Sequence, residues 1–347
     1  MFRSGGNTGA TRSRHARPVS LQRLALAGVG VLLAAAIAYG VISRNQSITP
    51  AAAGSSSASS LPVGPQAPDF TGITGWVNSR PLALQELRGK VVLVDFWTFS
   101  CINCQRTIPV LRTWWQRYQA AGLVIVGVHS PEFDFEKDPG NVRRAVKELG
   151  VEWPVALDPN MATWNAYQNQ YWPAEYLIDK QGFVRHTHFG EGEYDVTEQA
   201  IRTLLGEKGS ASAVQAQLPG NDITEEAYAG SDRADGRIAL SGPWREDPQF
   251  AVSTASNATA SIDFTAGHVF LVAGSAGPPV EVLITIDGRS PTRSEAGSSV
   301  RFDSAGHAFI TVGPHDLYTL LSLPSEQSHR LQIRPLGGMQ LFTFTFG

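Results

Sequence analysis

The only two cysteines of the chain stand three positions apart, in the stretch Val91-Val-Leu-Val-Asp-Phe-Trp-Thr-Phe-Ser-Cys101-Ile-Asn-Cys104. The run Val91 to Val94 is apolar and β-branched and predicts a buried strand. From Gln105 to Ala121, apolar residues recur at Ile108, Leu111, Trp114, Trp115 and Tyr118, the spacing of a helix face. Strand, sharp turn and helix in that order place Cys101 at a helix N-terminus. There, unpaired backbone N–H groups and the helix dipole favour an anion. Cys101 is therefore the candidate nucleophilic thiolate, and Cys104, one turn inside and shielded, the candidate resolving thiol.

Two other uses of a C-x-x-C pair fit this chain less well. Half a zinc site needs two further soft ligands. There is no third cysteine, no histidine lies close in sequence to the pair, and His186-Thr187-His188 reads as alternating positions on a strand, so no metal site is expected. A structural disulfide across two intervening residues closes almost no loop and would constrain the unfolded chain little. The expected redox group is the Cys101–Cys104 couple itself, with no other cofactor.

Around these residues the sequence resembles the thioredoxin superfamily. Asp95, six positions before Cys101, matches that superfamily's buried proton-transfer aspartate, and Pro109 matches the proline that kinks its active-site helix. Trp172-Pro173, before the apolar run Tyr176-Leu-Ile, matches the loop whose cis-proline lies against the disulfide. An X-Pro bond is the one peptide in which cis is cheap, so Pro173 is the candidate. The resemblance further implies that the backbone of Trp172 pairs with an extended substrate segment. Trp97 and Trp172 are the expected substrate-binding residues. Within the superfamily, the stretches Ser-Cys-Ile-Asn-Cys-Gln-Arg-Thr and Tyr-Trp-Pro-Ala-Glu-Tyr-Leu-Ile-Asp look like the TlpA/DipZ type. These are membrane-tethered extracytoplasmic thioredoxins with an insert between strand and helix. Gly64-Pro-Gln-Ala-Pro-Asp-Phe70 resembles an opening motif which that group shares with the AhpC/TSA peroxiredoxins.

Periodicity supports the rest of such a fold. It predicts a strand at Leu123 to His129, an insert helix at Pro139 to Leu149 and a strand at Trp153 to Asp158. A helix follows at Ala162 to Tyr167, then a hairpin from Tyr176 to Phe189 and a last helix at Val196 to Leu205. The expected fold over 63–208 is α/β and thioredoxin-like, a central mixed sheet flanked by helices. A thiol peroxidase of the AhpC/TSA type is the alternative enzyme. Its P-x-x-x-T-x-x-C loop is matched at Thr98 and Cys101, but Val94 occupies the proline position.

Residues 1–20 form an expected cytoplasmic tail that contains Arg3, Arg12, Arg14 and Arg17 and no acid. Residues 21–43 include a charge-free stretch from Leu24 to Ser43, about 30 Å long as a helix and sufficient to span a bilayer. This predicts one N-terminal transmembrane helix with the remainder outside, or else a cleaved signal peptide ending near Ala34 to Ala38. The expected location is the cell membrane, single-pass, with extracytoplasmic domains. Residues 44–62 are rich in Ala, Ser and Pro and predict a flexible tether. Beyond residue 60 the chain holds 22 basic and 31 acidic residues, a formal charge of −9, which argues against nucleic acid as a partner.

After a second linker at 209–228, residues 229–347 lose helical periodicity and show short alternating segments, predicting an all-β sandwich. Expected strands are Thr259 to Phe264, His268 to Ala273, Val280 to Ile286, His307 to Val312, Leu317 to Leu321, Arg330 to Arg334 and Leu341 to Phe346. Asp287-Gly288 is a hairpin signal. The last strand alternates apolar residues with threonine and should bury one face. Such a module resembles the jelly-roll, carbohydrate-binding-module-like domain of DipZ proteins. Trp244 and Tyr318 are its candidate glycan contacts, and a glycan-binding surface protein is the non-enzymatic alternative. The resemblance as a whole implies a disulfide reductase acting on exported, disulfide-containing client proteins, recharged by a separate membrane electron donor.

Overall fold

The computed structural model describes residues 61–208, 218, 220 and 222–347. The expected tail 1–20, the hydrophobic segment 21–43 and the tether up to residue 60 lie outside the described residues, as do 209–217 of the second linker. No described helix is long and apolar enough to cross a membrane.

The N-terminal half is built from β1 (Gly75–Val77), β2 (Val91–Trp97), α1 (Ile102–Tyr118), β3 (Leu123–His129), α2 (Pro139–Glu148), β4 (Val155–Leu157), α3 (Ala162–Ala166), β5 (Ala174–Ile178), β6 (Val184–Phe189) and α4 (Tyr194–Leu205). The strand order is β1-β4-β3-β2-β5-β6, with the β4–β3 and β3–β2 pairs parallel and the β1–β4, β2–β5 and β5–β6 pairs antiparallel. This is the thioredoxin-like mixed sheet. The central β2 is buried throughout because both of its faces are covered. Val91, Leu93 and Trp97 face a cluster with Ile108, Leu111 and Trp114 of α1, Val142 of α2 and Ile201 of α4. Val92, Val94 and Phe96 face Trp164 and Tyr167. Gly127 on β3 permits a close approach: a Cβ there would stand 2.9 Å from Trp97 Nε1 and 3.2 Å from Trp153 Nε1.

The C-terminal half is all-β: β7 (Ala227–Tyr228), β8 (Ala239–Ser241), β9 (Trp244–Glu246), β10 (Ala251–Ser253), β11 (Thr259–Gly274), β12 (Val280–Ile286), β13 (Arg301–Phe302), β14 (Ala308–Val312), β15 (Asp316–Pro335) and β16 (Gln340–Phe346). All of them join one ten-stranded antiparallel sheet around a single apolar cluster. Two pairs of expected strands are in fact single long strands. β11 runs through Ala266 and Gly267, and β15 through the polar run Pro324 to Ser328, with register shifts that break the alternation where two separate strands were expected. Asp287 and Gly288 do form a tight turn, both with positive φ. Beyond it only Arg289 pairs with β12, in a single bridge to Ile286, and no hairpin ladder follows; β13 pairs with β14.

β16 is buried on both faces rather than one. Leu341, Phe344 and Phe346 enter the sheet's core, while Phe342 packs in a separate cluster with Phe133 and Val272, flanked by Phe135 and Phe250. Phe133 and Phe135 flank or belong to a 3-10 turn, Asp134–Lys137, in the insert between β3 and α2. The two halves therefore meet on this insert. Arg144 of α2 bonds Asp316 at 2.6 Å, and Glu132 accepts from Arg233 at 2.6 Å and from Tyr228 at 2.8 Å.

Candidate active site

Cys101 is the residue immediately before α1, with an extended backbone (φ −82°, ψ 115°). Its Sγ accepts the Cys104 backbone N–H at 3.3 Å, so an otherwise unpaired donor of the first helical turn points at the sulfur. The two cysteines are thiols in this structure. Cys101 is half-buried, whereas Cys104 is 1% exposed. Burial pushes the Cys104 thiol well above the ordinary range, and the hydrogen bond and charge of Cys101 raise it further, with a smaller push from Asp95. An outer sulfur cradled by a helix N-terminus and an inner one that resists ionisation can carry out sequential thiol chemistry. The inner thiol then needs a base.

Asp95 lies two residues before the end of β2, 3% exposed, and burial pushes its carboxyl up to about 7. Its neighbour on β3 is Gly127, which offers no side chain, and its neighbour on β5 is Glu175. The Trp172–Pro173 peptide bond is cis. The residue after it, Ala174, pairs with Phe96, which sets the proline loop beside the end of β2 from which the cysteine loop departs. Trp172 is half-buried against the apolar cluster that also takes Cys101. Its indole N–H donates to Ser130 O at 2.9 Å and its ring packs 4.2 Å from Trp164. On α1, Arg106 pairs with Glu191 at 2.7 Å.

Two family models match the chain. The AhpC/TSA family covers residues 63–187, and a thioredoxin-like C-terminal domain covers residues 201–347. Protein DipZ of Mycobacterium tuberculosis is 38% identical over 315 residues, which is 81% of this chain and 43% of DipZ. The thiol-disulfide oxidoreductase YkuV of Bacillus subtilis is 31% identical over 140 residues, covering 40% of this chain and 94% of YkuV. The chain belongs to the TlpA/DipZ-like thioredoxins. It spans less than half the length of the DipZ proteins it matches. A solved thiol-disulfide isomerase from Corynebacterium glutamicum is 27% identical, with 41% of this chain and 98% of that one covered and a TM-score of 0.37.

In this TlpA/DipZ-like thioredoxin, Cys101, Cys104, Asp95, Trp172 and Pro173 gather around one end of β2. Trp97 does not join them at a surface: it is 2% exposed, edge-on to His129, with no face open to a substrate. Several residues of the site have no motif to announce them. Glu136, from the insert, accepts from the amide and hydroxyl of Ser100 at 3.2 and 2.6 Å. His129, which stacks on Phe99, is held neutral by burial, its pKa pushed down to about 3. Glu175 is 1% exposed, and burial together with the charge of Asp95 pushes its carboxyl up to about 8. A lone carboxylate inside the run Ala174-Glu-Tyr-Leu-Ile is the signal that could have singled it out. In the C-terminal sheet, Trp244 and Tyr318 pack on the core and spend their polar atoms on Thr259 O and Pro314 O, respectively.

Proposed function

We propose that this chain is an extracytoplasmic thiol–disulfide oxidoreductase that reduces disulfides in exported client proteins. The observation that supports this most directly is the pairing of a half-exposed Cys101 Sγ, held by the Cys104 N–H, with a buried Cys104 thiol that ionises only with help. Cys101 thiolate attacks a client disulfide, forming a mixed disulfide beneath the Trp172-Pro173 loop and releasing one client thiolate. Cys104 gives its proton to Asp95 and attacks Cys101 Sγ; the Cys101–Cys104 bond forms and the second client sulfur leaves. The couple itself is the redox group, and a separate membrane electron donor returns it to the dithiol.

The same reading divides the chain into a thioredoxin-like domain at 63–208 and a C-terminal domain at 229–347 whose sheet folds over as a jelly-roll-like sandwich. It places the hydrophobic segment 21–43 in the cell membrane as the anchor. The thiol peroxidase reading finds less support. Thr98, which would have to polarise the peroxide, is fully buried with its hydroxyl 3.4 Å from His129 Nε2.

The test is disulfide exchange by the purified chain. Cys101→Ser should abolish it, and Cys104→Ser should accumulate mixed disulfides with clients in cells; exchange that survives Cys101→Ser would sink the proposal. The reduction potential gives the direction: about −270 mV marks a reductant and about −120 mV an oxidant running the steps in reverse.

A further inference from the structure

Asp95, Glu175 and His188 are direct cross-strand neighbours on β2, β5 and β6. Directly opposed residues of an antiparallel pair point to the same face with Cβ atoms about 4.5–5.5 Å apart. The three side chains therefore form a row from the central strand to β6, the edge strand of the sheet. The row lies on the face that carries α1 and α4, because Leu93 and Leu177, two positions away on β2 and β5, enter that cluster together with Cys104.

Each member carries a buried polar atom without a close hydrogen-bond partner among the described residues: Oδ1 of Asp95, both carboxyl oxygens of Glu175 and Nε2 of His188; the Thr197 hydroxyl is the one side-chain donor that reaches toward the Glu175 carboxyl. Such atoms are costly to leave unpaired, and three neighbours in a row sharing the defect is not a packing accident of one site. At the outer end, His188 turns its other nitrogen, Nδ1, toward Glu193 Oε2 at 3.6 Å. The His188 side chain is 10% exposed and that of Glu193 is 73% exposed, so the row begins beside a buried thiol and ends in water.

We propose that Asp95, Glu175 and His188 form a proton path between the Cys104 thiol and solvent at Glu193. This rests on the oxidoreductase reading above. When Cys104 attacks the mixed disulfide, its proton passes to Asp95 as the Cys101–Cys104 bond forms. The client sulfur departs with the electron pair of the broken bond. The Asp95 proton moves to Glu175 and then to Nε2 of His188, which releases a proton from Nδ1 toward Glu193 and water. The centre has lost two electrons to the client, and the buried acids return to their starting charge. Reduction of the centre runs the path inward. The other titratable groups facing the row are Cys104 from α1, Tyr194 from α4, His186 from β6, and Glu191, paired with Arg106, from the loop before α4. His188 is the one that stands directly opposite Glu175 in the strand register, whereas the His186 Nε2 is engaged with the Thr197 hydroxyl at 3.0 Å. A path of this kind answers a specific difficulty, because an acid sealed under a sheet cannot release a proton to water directly.

The experiment uses the full chain and 5,5′-dithiobis(2-nitrobenzoate). Attack by Cys101 releases one coloured thiolate and resolution by Cys104 releases a second, so the two phases separate the steps. The second phase is followed from roughly pH 5 to roughly pH 10 in wild type, Glu175→Gln and His188→Gln. We expect the wild-type rate to rise in two steps, Glu175→Gln to lose one of them, and both variants to slow the second phase by about tenfold. Melting curves and the first phase report that each variant is folded. Second-phase profiles that superpose on wild type in both variants would overturn the path while leaving the oxidoreductase reading intact. A wild-type chain that releases no thiolate would overturn that reading, and the path with it. Carbon-13 NMR titration of the carboxyl groups in the resting protein gives a readout free of turnover: the Asp95 titration must change in Glu175→Gln, and an unchanged curve counts against the path.

Discussion

The carboxylate of Glu136 accepts both the backbone N–H and the hydroxyl of Ser100, the residue immediately before Cys101. Its other oxygen accepts the amides of Glu132 and Phe133 at 2.7 and 3.0 Å. One buried side chain of the insert thereby fixes the approach to the nucleophile and the shape of the insert itself.

Removing that carboxylate leaves four donors unpaired, three of them buried. Glu136→Ala should lower the stability by roughly 3–5 kcal/mol in denaturant titrations, and Glu136→Gln, which keeps one acceptor oxygen, by less. A loss below about 1 kcal/mol for the alanine variant would show that Ser100 and the insert find other partners.

Asp95 makes stability depend on pH with a definite sign. Its folded pKa, about 7, lies above the ordinary 3.8, so the folded state binds more protons between those values. Stability contributed by the protonated acid is complete at low pH and is lost as pH rises toward about 7. Asp95→Asn removes that loss. Relative to wild type it should gain roughly 2–3 kcal/mol more at pH 8 than at pH 5, because the cost of burying the amide is the same at both. Equal differences at the two pH values would contradict the burial argument.

Phe342 is 3% exposed between β16 and the insert, 5.1 Å from the Phe133 ring and 4.9 Å from that of Phe135. Phe342→Ala should cost about 3–5 kcal/mol. It should also slow disulfide exchange at Cys101, since the insert that holds Ser100 loses its support. Unaltered exchange at full folding would separate the C-terminal sheet from the redox centre.

Gly127→Ala would drive a methyl group into the indoles of Trp97 and Trp153. Overpacking of this kind should destabilise by about 1–3 kcal/mol, read as a lower melting temperature. A neutral result would mean that both rings can retreat.

Most of the α/β half was legible in the sequence because its elements, the three-residue β1 excepted, have their own periodicity. β3 was expected at its observed limits, and α2 and β12 within a residue of theirs. The cysteines and the proline loop were legible because their spacing is the chemistry. The insert turn was not, since Phe133 and Phe135 read as loop residues until Phe342 is there to cover them. The short strands β7, β8, β9, β10 and β13 have too few residues to show alternation. Long β11 and β15 were split in two because a bulge shifts which residues face inward, and a period read across that point cancels. Trp97 was expected as a substrate contact, yet strand alternation turns it into the core. Glu175 and His188 were missed for the opposite reason: their significance lies in a register across strands, which no linear spacing records.

The cluster of Phe133 and Phe342 also imposes an order in time. As the chain leaves the ribosome, every strand of the α/β sheet emerges well before β16. Until β16 arrives, the insert has nothing to rest its aromatic side chains on, and Glu136 has no fixed platform from which to hold Ser100. The nascent protein thus carries a finished sheet with an unfinished doorway to its thiols, and β16 closes the frame.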